Sequence, residues 1–312
     1  MRIDGMKRAL FVICLLAFVV CPVLQAQSPG AQSTPKPSSH IRINRTLEQH
    51  FMVDRGDVHI EVIAQGLGPV IVILPSLGRG AQDYGVVAAL LARDGFRVLR
   101  PQPRGIGAST GPMERLTLHD FAADIAAVIE HERKGPAVVV GHAYGHFVTR
   151  MLATDRPDLV RGVVLAAASA GKVPPGVNEP SVSPEVREAI DKSGDLSLPE
   201  AERLRYLQLA FFAPGHDPHV WLTGWHPETE KAENTASRST PVDEWFAAGT
   251  TRVLDLQAEN DAVAPRKFAG VLKAALGDRV TVQVIPSAGH ALVPEQPEAM
   301  ARAIAAFARS LK

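Results

Sequence analysis

Five consecutive residues, Gly141-His142-Ala143-Tyr144-Gly145, have the spacing of a site for nucleophilic chemistry. They follow the apolar run Pro136-Ala137-Val138-Val139-Val140. A strand that runs into Gly-x-nucleophile-x-Gly and then a helix makes a sharp turn that lifts its central side chain clear of the sheet. Small residues two before and two after let the strand and helix pack closely around that turn. N–H groups at the helix start favour negative charge developing beside it. Such a turn serves attack on an acyl carbon, yet its centre here is Ala143, which carries no nucleophilic atom. The alternative is an ordinary tight strand-to-helix connection.

Two other residues could form an acid–base set. Residues 251–257 read as a strand, followed by Ala258-Glu259-Asn260-Asp261, and Pro265 opens a helix over 266–276. Val280–Ile285 reads as the next strand and leads into Pro286-Ser287-Ala288-Gly289-His290. A carboxylate at one strand end and an imidazole at the next, both after the sharp turn in chain order, is the arrangement of a catalytic acid and its base. Asp261 could instead cap the helix that follows, and His290 could be a solvated loop histidine. Asp255, inside the strand, and Glu259 compete for the role of acid. The loop Pro75-Ser76-Leu77-Gly78-Arg79-Gly80 follows the strand Val70–Leu74. The backbone N–H groups of Leu77 and Tyr144 are the candidate donors to an oxyanion. Without that duty the loop is a glycine-rich connection.

The stretches Leu74-Pro75-Ser76-Leu77-Gly78, Pro103-Arg104-Gly105-Ile106-Gly107-Ala108-Ser109, Glu259-Asn260-Asp261 and Gly289-His290 add to the 141–145 turn. On these the chain resembles the α/β-hydrolase superfamily, over residues 57–312. The resemblance implies an α/β fold: a doubly wound, mostly parallel sheet with a helical cap insertion. The core would comprise residues 51–171 and 249–312, and the cap residues 172–248. It also implies catalytic roles for His290 and Asp261, with Ala143 substituting at the nucleophile position, and oxyanion roles for Leu77 and Tyr144. Cap aromatics, Trp221, Trp225 and Phe211 among them, would contact substrate, and no cofactor is implied. Two departures matter. Pro75-Ser76 stands where the family has His-Gly, and Ala143 stands where it has Ser, Cys or Asp.

The elements that must position these residues alternate along the chain. Apolar strands fall at Val70–Leu74, 97–99, 137–140, 162–166, 252–256 and 281–285, buried on both faces. Helices fall at 82–93, 117–132, 146–154, 266–276 and 297–311. In the last, Met300, Ile304, Phe307 and Leu311 mark the face against the sheet. A sheet of this kind carries its chemistry at the carboxyl ends of its strands. Residues 172–248 interrupt the alternation, with short helices at 184–192 and 199–212, and hold all three tryptophans of the chain: Trp221, Trp225 and Trp245. An aromatic-rich cap points to an apolar or ring-bearing ligand; the same rings could serve only to hold a small cap together. His216, His219 and His226 lack metal-ligand spacing and read as surface loop residues.

Lys7 and Arg8 precede the apolar run from Ala9 to Val20, and Leu24-Gln25-Ala26 is a passable cleavage site, so residues 1–26 read as an export signal. The expected location is periplasmic or secreted, with no stable membrane insertion after cleavage; an uncleaved anchor is the alternative. Residues 27–50 read as a flexible leader, rich in Ser, Pro and Gln at its start. Both cysteines, Cys14 and Cys21, lie in the signal, which excludes a disulfide framework or cysteine metal site from the mature chain. The full chain has 33 basic and 33 acidic side chains, and residues 1–26 contain three of the former and one of the latter. The near-neutral balance gives no reason to expect nucleic acid as a partner; a small molecule is expected instead.

Three functions are compatible with these residues. The first is an ester or lactone hydrolase, or a lyase, in which His290, oriented by Asp261, acts as general base without a serine. The second is a non-catalytic protein that binds a small apolar ligand under its cap. In the third, another side chain supplies the nucleophile, from among His142, His146, Ser76, Ser109 and Ser287. A carboxylate-paired His290 favours the first. The retained export signal favours Ala143 as the natural residue.

Overall fold

The computed structural model describes residues 47–311. The residues read as an export signal, and all but the end of those read as a leader, lie outside the described residues. Eight strands form one sheet in the order β1-β2-β4-β3-β5-β6-β7-β8. They are β1 (Gln49–Arg55), β2 (Val58–Gly66), β3 (Val70–Leu74), β4 (Arg97–Pro101), β5 (Ala137–His142), β6 (Val160–Ala166), β7 (Val253–Ala258) and β8 (Val280–Ile285). β1 and β2 pair antiparallel, as do β2 and β4, and every other pairing is parallel. The helices are α1 (Gly85–Arg93), α2 (Leu118–Glu132), α3 (Gly145–Asp155), α4 (Pro184–Ser193), α5 (Glu200–Ala210), α6 (Pro227–Ser239), α7 (Val242–Trp245), α8 (Gly270–Leu276), α9 (Leu292–Glu295) and α10 (Pro297–Ser310).

Successive side chains of a strand point to opposite faces, and β3 shows the consequence. Val70, Val72 and Leu74 pack into one apolar layer with Phe121 and Ile125 of α2 and Met151 of α3. Ile71 and Ile73 pack into the other, with Leu91 of α1 and Met300, Ile304 and Phe307 of α10. A strand apolar at every position therefore needs helices on both sides, and the sheet is doubly wound. β8 departs from that expectation. It is the edge strand, and Thr281, Val282 and Gln283 face solvent.

Other boundaries also moved. β1 starts at Gln49, inside the stretch read as leader, and β1 and β2 were not foreseen, because their mixed residues lack the continuous apolar run of a buried strand. The helix expected over 82–93 opens as a 3-10 turn, Ala81–Tyr84, before α1. That over 266–276 is likewise split into a 3-10 turn, Arg266–Phe268, and α8. Within 172–248, α4 and α5 fall where expected, whereas α6 and α7 are additional. The cap has its own apolar cluster, built on Leu207, Phe211, Phe212 and Trp221. Among the described residues no helix is long and apolar enough to cross a membrane.

The turn after β5 is set by two close approaches. A Cβ on Gly141 would lie 2.4 Å from the Gly145 carbonyl oxygen, and one on Gly145 would lie 2.6 Å from that of Leu74. Both neighbours are backbone, so neither can yield cheaply. Gly145→Ala should therefore cost about 1–3 kcal/mol or prevent folding. Gly270→Ala, whose Cβ would meet nothing within 4 Å, should be neutral or stabilising. Thermal unfolding of the two variants checks the contrast.

Candidate active site

Ala143 sits at the tip of this turn with φ +46° and is 5% exposed. A non-glycine residue in the left-handed region is strained by about 1–2 kcal/mol, and the hydrogen bonds around Ala143 hold it there. Its N–H donates to the Ala166 carbonyl at 2.9 Å, and its carbonyl accepts from the His146 N–H at 3.0 Å. Among the described residues no acceptor takes the backbone N–H of Leu77 or of Tyr144, although those of Ser76, Gly78 and Ala143 are engaged. Leu77, Ala143, Tyr144 and His290 all line one cavity of about 460 Å³.

Asp261 occupies the turn after β7, and His290 the loop after β8. The Asp261 Oδ1 accepts from His290 Nδ1 at 3.0 Å, with Oδ2 at 3.1 Å. The same Oδ1 accepts the N–H groups of Val263 and Ala264 at 2.9 and 2.7 Å. Asp261 thus orders the turn that follows it and orients the imidazole as well. A carboxylate accepts only, so the proton sits on Nδ1 and leaves Nε2 as a lone-pair acceptor on the cavity wall. The rival acids are occupied elsewhere. Asp255 accepts from Gln257 Nε2 at 2.8 Å, and burial pushes its carboxyl up to about 6. Glu259 accepts the N–H of Ser287 at 2.9 Å and so braces the loop carrying His290.

His142, fully buried, does more than pack under the turn. Its Nε2 lies 2.8 Å from the backbone carbonyl of His290, which can only accept, so this nitrogen carries the ring proton. Nδ1 must then accept from the Tyr84 hydroxyl at 2.8 Å, and that hydroxyl in turn accepts the Ser76 N–H at 2.9 Å. Burial, and next the nearby His290, push the ring down to about 3, so it remains neutral. One chain of three hydrogen bonds therefore joins the Ser76 loop, the 141–145 turn and the His290 loop. The His142 and His290 rings lie 5.8 Å apart, centre to centre.

The cap grips the Ser76–Gly80 loop from above. Gly78 donates its N–H to Glu233 of α6 at 2.7 Å, and its carbonyl accepts the His226 N–H at 3.0 Å. Arg79, also buried, donates to the Asp83 carboxylate and the Thr223 carbonyl, both at 2.7 Å. Its guanidinium lies over the Trp221 and Trp225 rings, 5.0 and 4.9 Å from their centres. Burial pushes Glu233 up to about 8, although the Gly78 bond opposes this. Glu233 was missed in the sequence. Its signals were Pro227 at a helix start and the apolar pair Ala232 and Ala236.

Phe211 and Trp225 line the cavity. Trp221 does not. It is 2% exposed and packs behind them against Phe211, Phe212 and His142. His146 also reaches the cavity wall, where Nε2 lies 3.2 Å from the Ser169 hydroxyl. Of the other candidate nucleophiles, Ser109 donates to the Gln102 carbonyl away from the cavity, at 3.0 Å. Ser76 is on the wall, and Ser287 is not. His216 bonds the Ser287 carbonyl and His219 pairs with Asp217. Among the described residues no three His, Cys, Asp or Glu side chains gather as they would around a metal ion.

Two consequences are measurable. Tyr84→Phe strands the Ser76 N–H and His142 Nδ1 and should cost about 1–3 kcal/mol in urea unfolding. Glu233 holds a proton in the folded state that the unfolded chain loses near pH 4.5. Its stabilisation is full below that pH and is lost as pH rises through about 8. Glu233→Gln should therefore gain on the parent across that window, by up to about 1.4 kcal/mol per pH unit, in unfolding measured as a function of pH.

Comparison with known proteins agrees with this fold. The model of the alpha/beta hydrolase family matches residues 71–303. The chain is 31% identical over 114 residues to pyrrolizixenacetamide deacetylase of Xenorhabdus hominickii, covering 36% of this chain and 42% of that one. It is also 31% identical over 118 residues to 2-(acetamidomethylene)succinate hydrolase of Mesorhizobium japonicum, covering 37% and 42%. The match thus spans less than half the length of either relative. In structure it resembles an esterase from Exiguobacterium antarcticum, with a TM-score of 0.70 at 19% identity, over 84% of this chain and 100% of that one. With three-quarters of its length matched by the family model, the chain belongs to the alpha/beta hydrolase family.

Proposed function

We propose that the protein is an exported hydrolase of esters or lactones in which His290 activates water directly. The observation that carries this reading is the bidentate contact of His290 Nδ1 with the buried Asp261, beside two backbone N–H groups without acceptors. A ligand-binding protein has no use for that pairing. Names of relatives support hydrolysis of an acyl group but carry an acetamide rather than an ester: one is a deacetylase and another a hydrolase of an acetamido compound.

A water next to the Ala143 methyl gives a proton to His290 Nε2 as its oxygen bonds to the acyl carbon. The carbonyl electron pair moves onto oxygen, where the Leu77 and Tyr144 N–H groups stabilise it. Collapse breaks the bond to the leaving alkoxide, and the imidazolium returns the proton to it. Asp261 steadies that imidazolium throughout. A general base contributes ~10²–10⁴-fold, and each oxyanion donor ~10²–10³-fold. Without a covalent intermediate, activated esters and lactones are better substrates than amides.

Turnover of p-nitrophenyl acetate and a lactone panel tests this. His290→Ala should lower kcat by ~10²–10⁴-fold, and Ala143→Ser should raise esterase activity by about tenfold or more. A fluorophosphonate probe should label the serine variant at residue 143 and leave the parent unlabelled there. Equal activity of the parent and His290→Ala would remove the base. No turnover of any of these substrates, with a small apolar ligand retained on purification, would favour the binding function instead.

A further inference from the structure

One cavity is walled in part by His290. A second cavity, of about 710 Å³, lies next to it. The two share the wall residues Phe147, Ala167, Ser169, Ser181, Val263 and Ala264. They are two adjacent chambers with a common wall. Each falls within the roughly 300–1,000 Å³ typical of a pocket that encloses a small ligand.

The chambers differ in chemistry. The front one is mixed: Arg187, Asp191, Glu230 and Arg238 border it with His290, alongside Phe211 and Trp225. Phe147, Trp245, Val242 and Phe268 border the rear one. Its charged groups are Lys172, Asp243 and Asp261, and each has a partner. Lys172 pairs with Asp243, and Asp261 with His290. No unpaired charge is left there to recognise an ion.

The wall of the rear chamber is also held in shape. Arg150 of α3, 1% exposed, donates to the carbonyls of Ser169 and Ala170 at 3.2 and 3.1 Å. Its guanidinium lies over the Trp245 ring at 5.4 Å. That ring in turn abuts Gly171, where a Cβ would come within 2.4 Å of it. Burying an arginine is costly unless its donors are matched. Here the two terminal nitrogens hold the 169–171 loop along the chamber, while Nε is buried without a partner among the described residues.

We propose that the site takes an amphiphilic substrate, with its reacting carbonyl and polar part in the front chamber and a neutral aryl arm passing Ser169 into the rear one. The proposal rests on the hydrolytic reading only for its kinetic arm, because occupancy of the rear chamber can be measured without turnover.

The full-length chain is compared with Val242→Trp and Ala269→Phe, each of which enlarges a side chain bordering the rear chamber; thermal unfolding selects the folded variant for the two measurements. The first probe is 4-phenyl-1-butanol, titrated calorimetrically. The second is the ratio of kcat/KM for p-nitrophenyl 4-phenylbutanoate to that for p-nitrophenyl acetate. The parent should bind the alcohol and favour the phenylbutanoate about tenfold or more, in keeping with the apolar area buried. The filled variants should bind the alcohol several-fold more weakly and lose most of the preference. Alcohol binding that ignores both substitutions, or a preference unchanged by them, overturns the proposal. If neither ester is turned over but filling still weakens alcohol binding, the rear chamber stands and the hydrolytic reading falls.

Discussion

The site depends on one neutral imidazole that never meets substrate. His142 donates to the His290 carbonyl and accepts from Tyr84, whose hydroxyl accepts the Ser76 N–H. These bonds cross three loops that leave three different strands, β3, β5 and β8. Buried and unable to take a second proton near neutral pH, the ring has one tautomer that satisfies both neighbours. Reversing it would place a lone pair against a carbonyl and a proton against a hydroxyl that needs to donate. The network is fully matched, which is the condition under which a buried polar cluster fixes geometry rather than weakening the core.

Ala143 makes that network more consequential. A methyl group cannot hydrogen-bond, so it gives His290 no restraint from the front. The imidazole is located by Asp261 at Nδ1 and by His142 through its own backbone. The turn itself has not relaxed. It keeps a positive φ at residue 143 and two glycines pressed against backbone. A strained conformation persists where the surroundings over-determine it, and here the Ala166 carbonyl and the β3–β5–β6 register supply the constraint.

How legible this was in the sequence depended on how local each feature was. Strands buried on both faces show as unbroken apolar runs, so β3 and β5 stood out, while β1 and β2, half polar, merged with the leader. Asp261 and His290 were visible because strand ends punctuate the chain before them. Tryptophan content suggested a ligand wall but could not say which ring faces it. Trp225 does, whereas Trp221 is held behind it by Arg79 and Phe211. The role of His142 was hidden, because it exists only where distant loops meet. Glu233 was hidden for the same reason, since its partner Gly78 lies 155 residues away.

The hold of the cap on Gly78 limits how the cap can move. Helix α6 and the segment before it are bonded to the N–H and to the carbonyl of Gly78, and Arg79 adds two tryptophan faces and a cap carbonyl. Lifting α6 would drag the Ser76–Gly80 loop with it or leave the buried Glu233 without its donor, a cost of about 1–3 kcal/mol. Helices α4 and α5 have no such tie to that loop. They join the rest of the cap through the apolar cluster around Leu207 and through Arg203, which bonds the Ser193 and Leu222 carbonyls. The end of α5 is instead tied to the His290 loop, where the Phe211 carbonyl accepts the Ala291 N–H at 2.8 Å and Glu295 accepts the Ala213 N–H at 2.7 Å. The cap is therefore bonded both to the Ser76–Gly80 loop and to the loop that carries His290, and moving either end of it breaks buried hydrogen bonds.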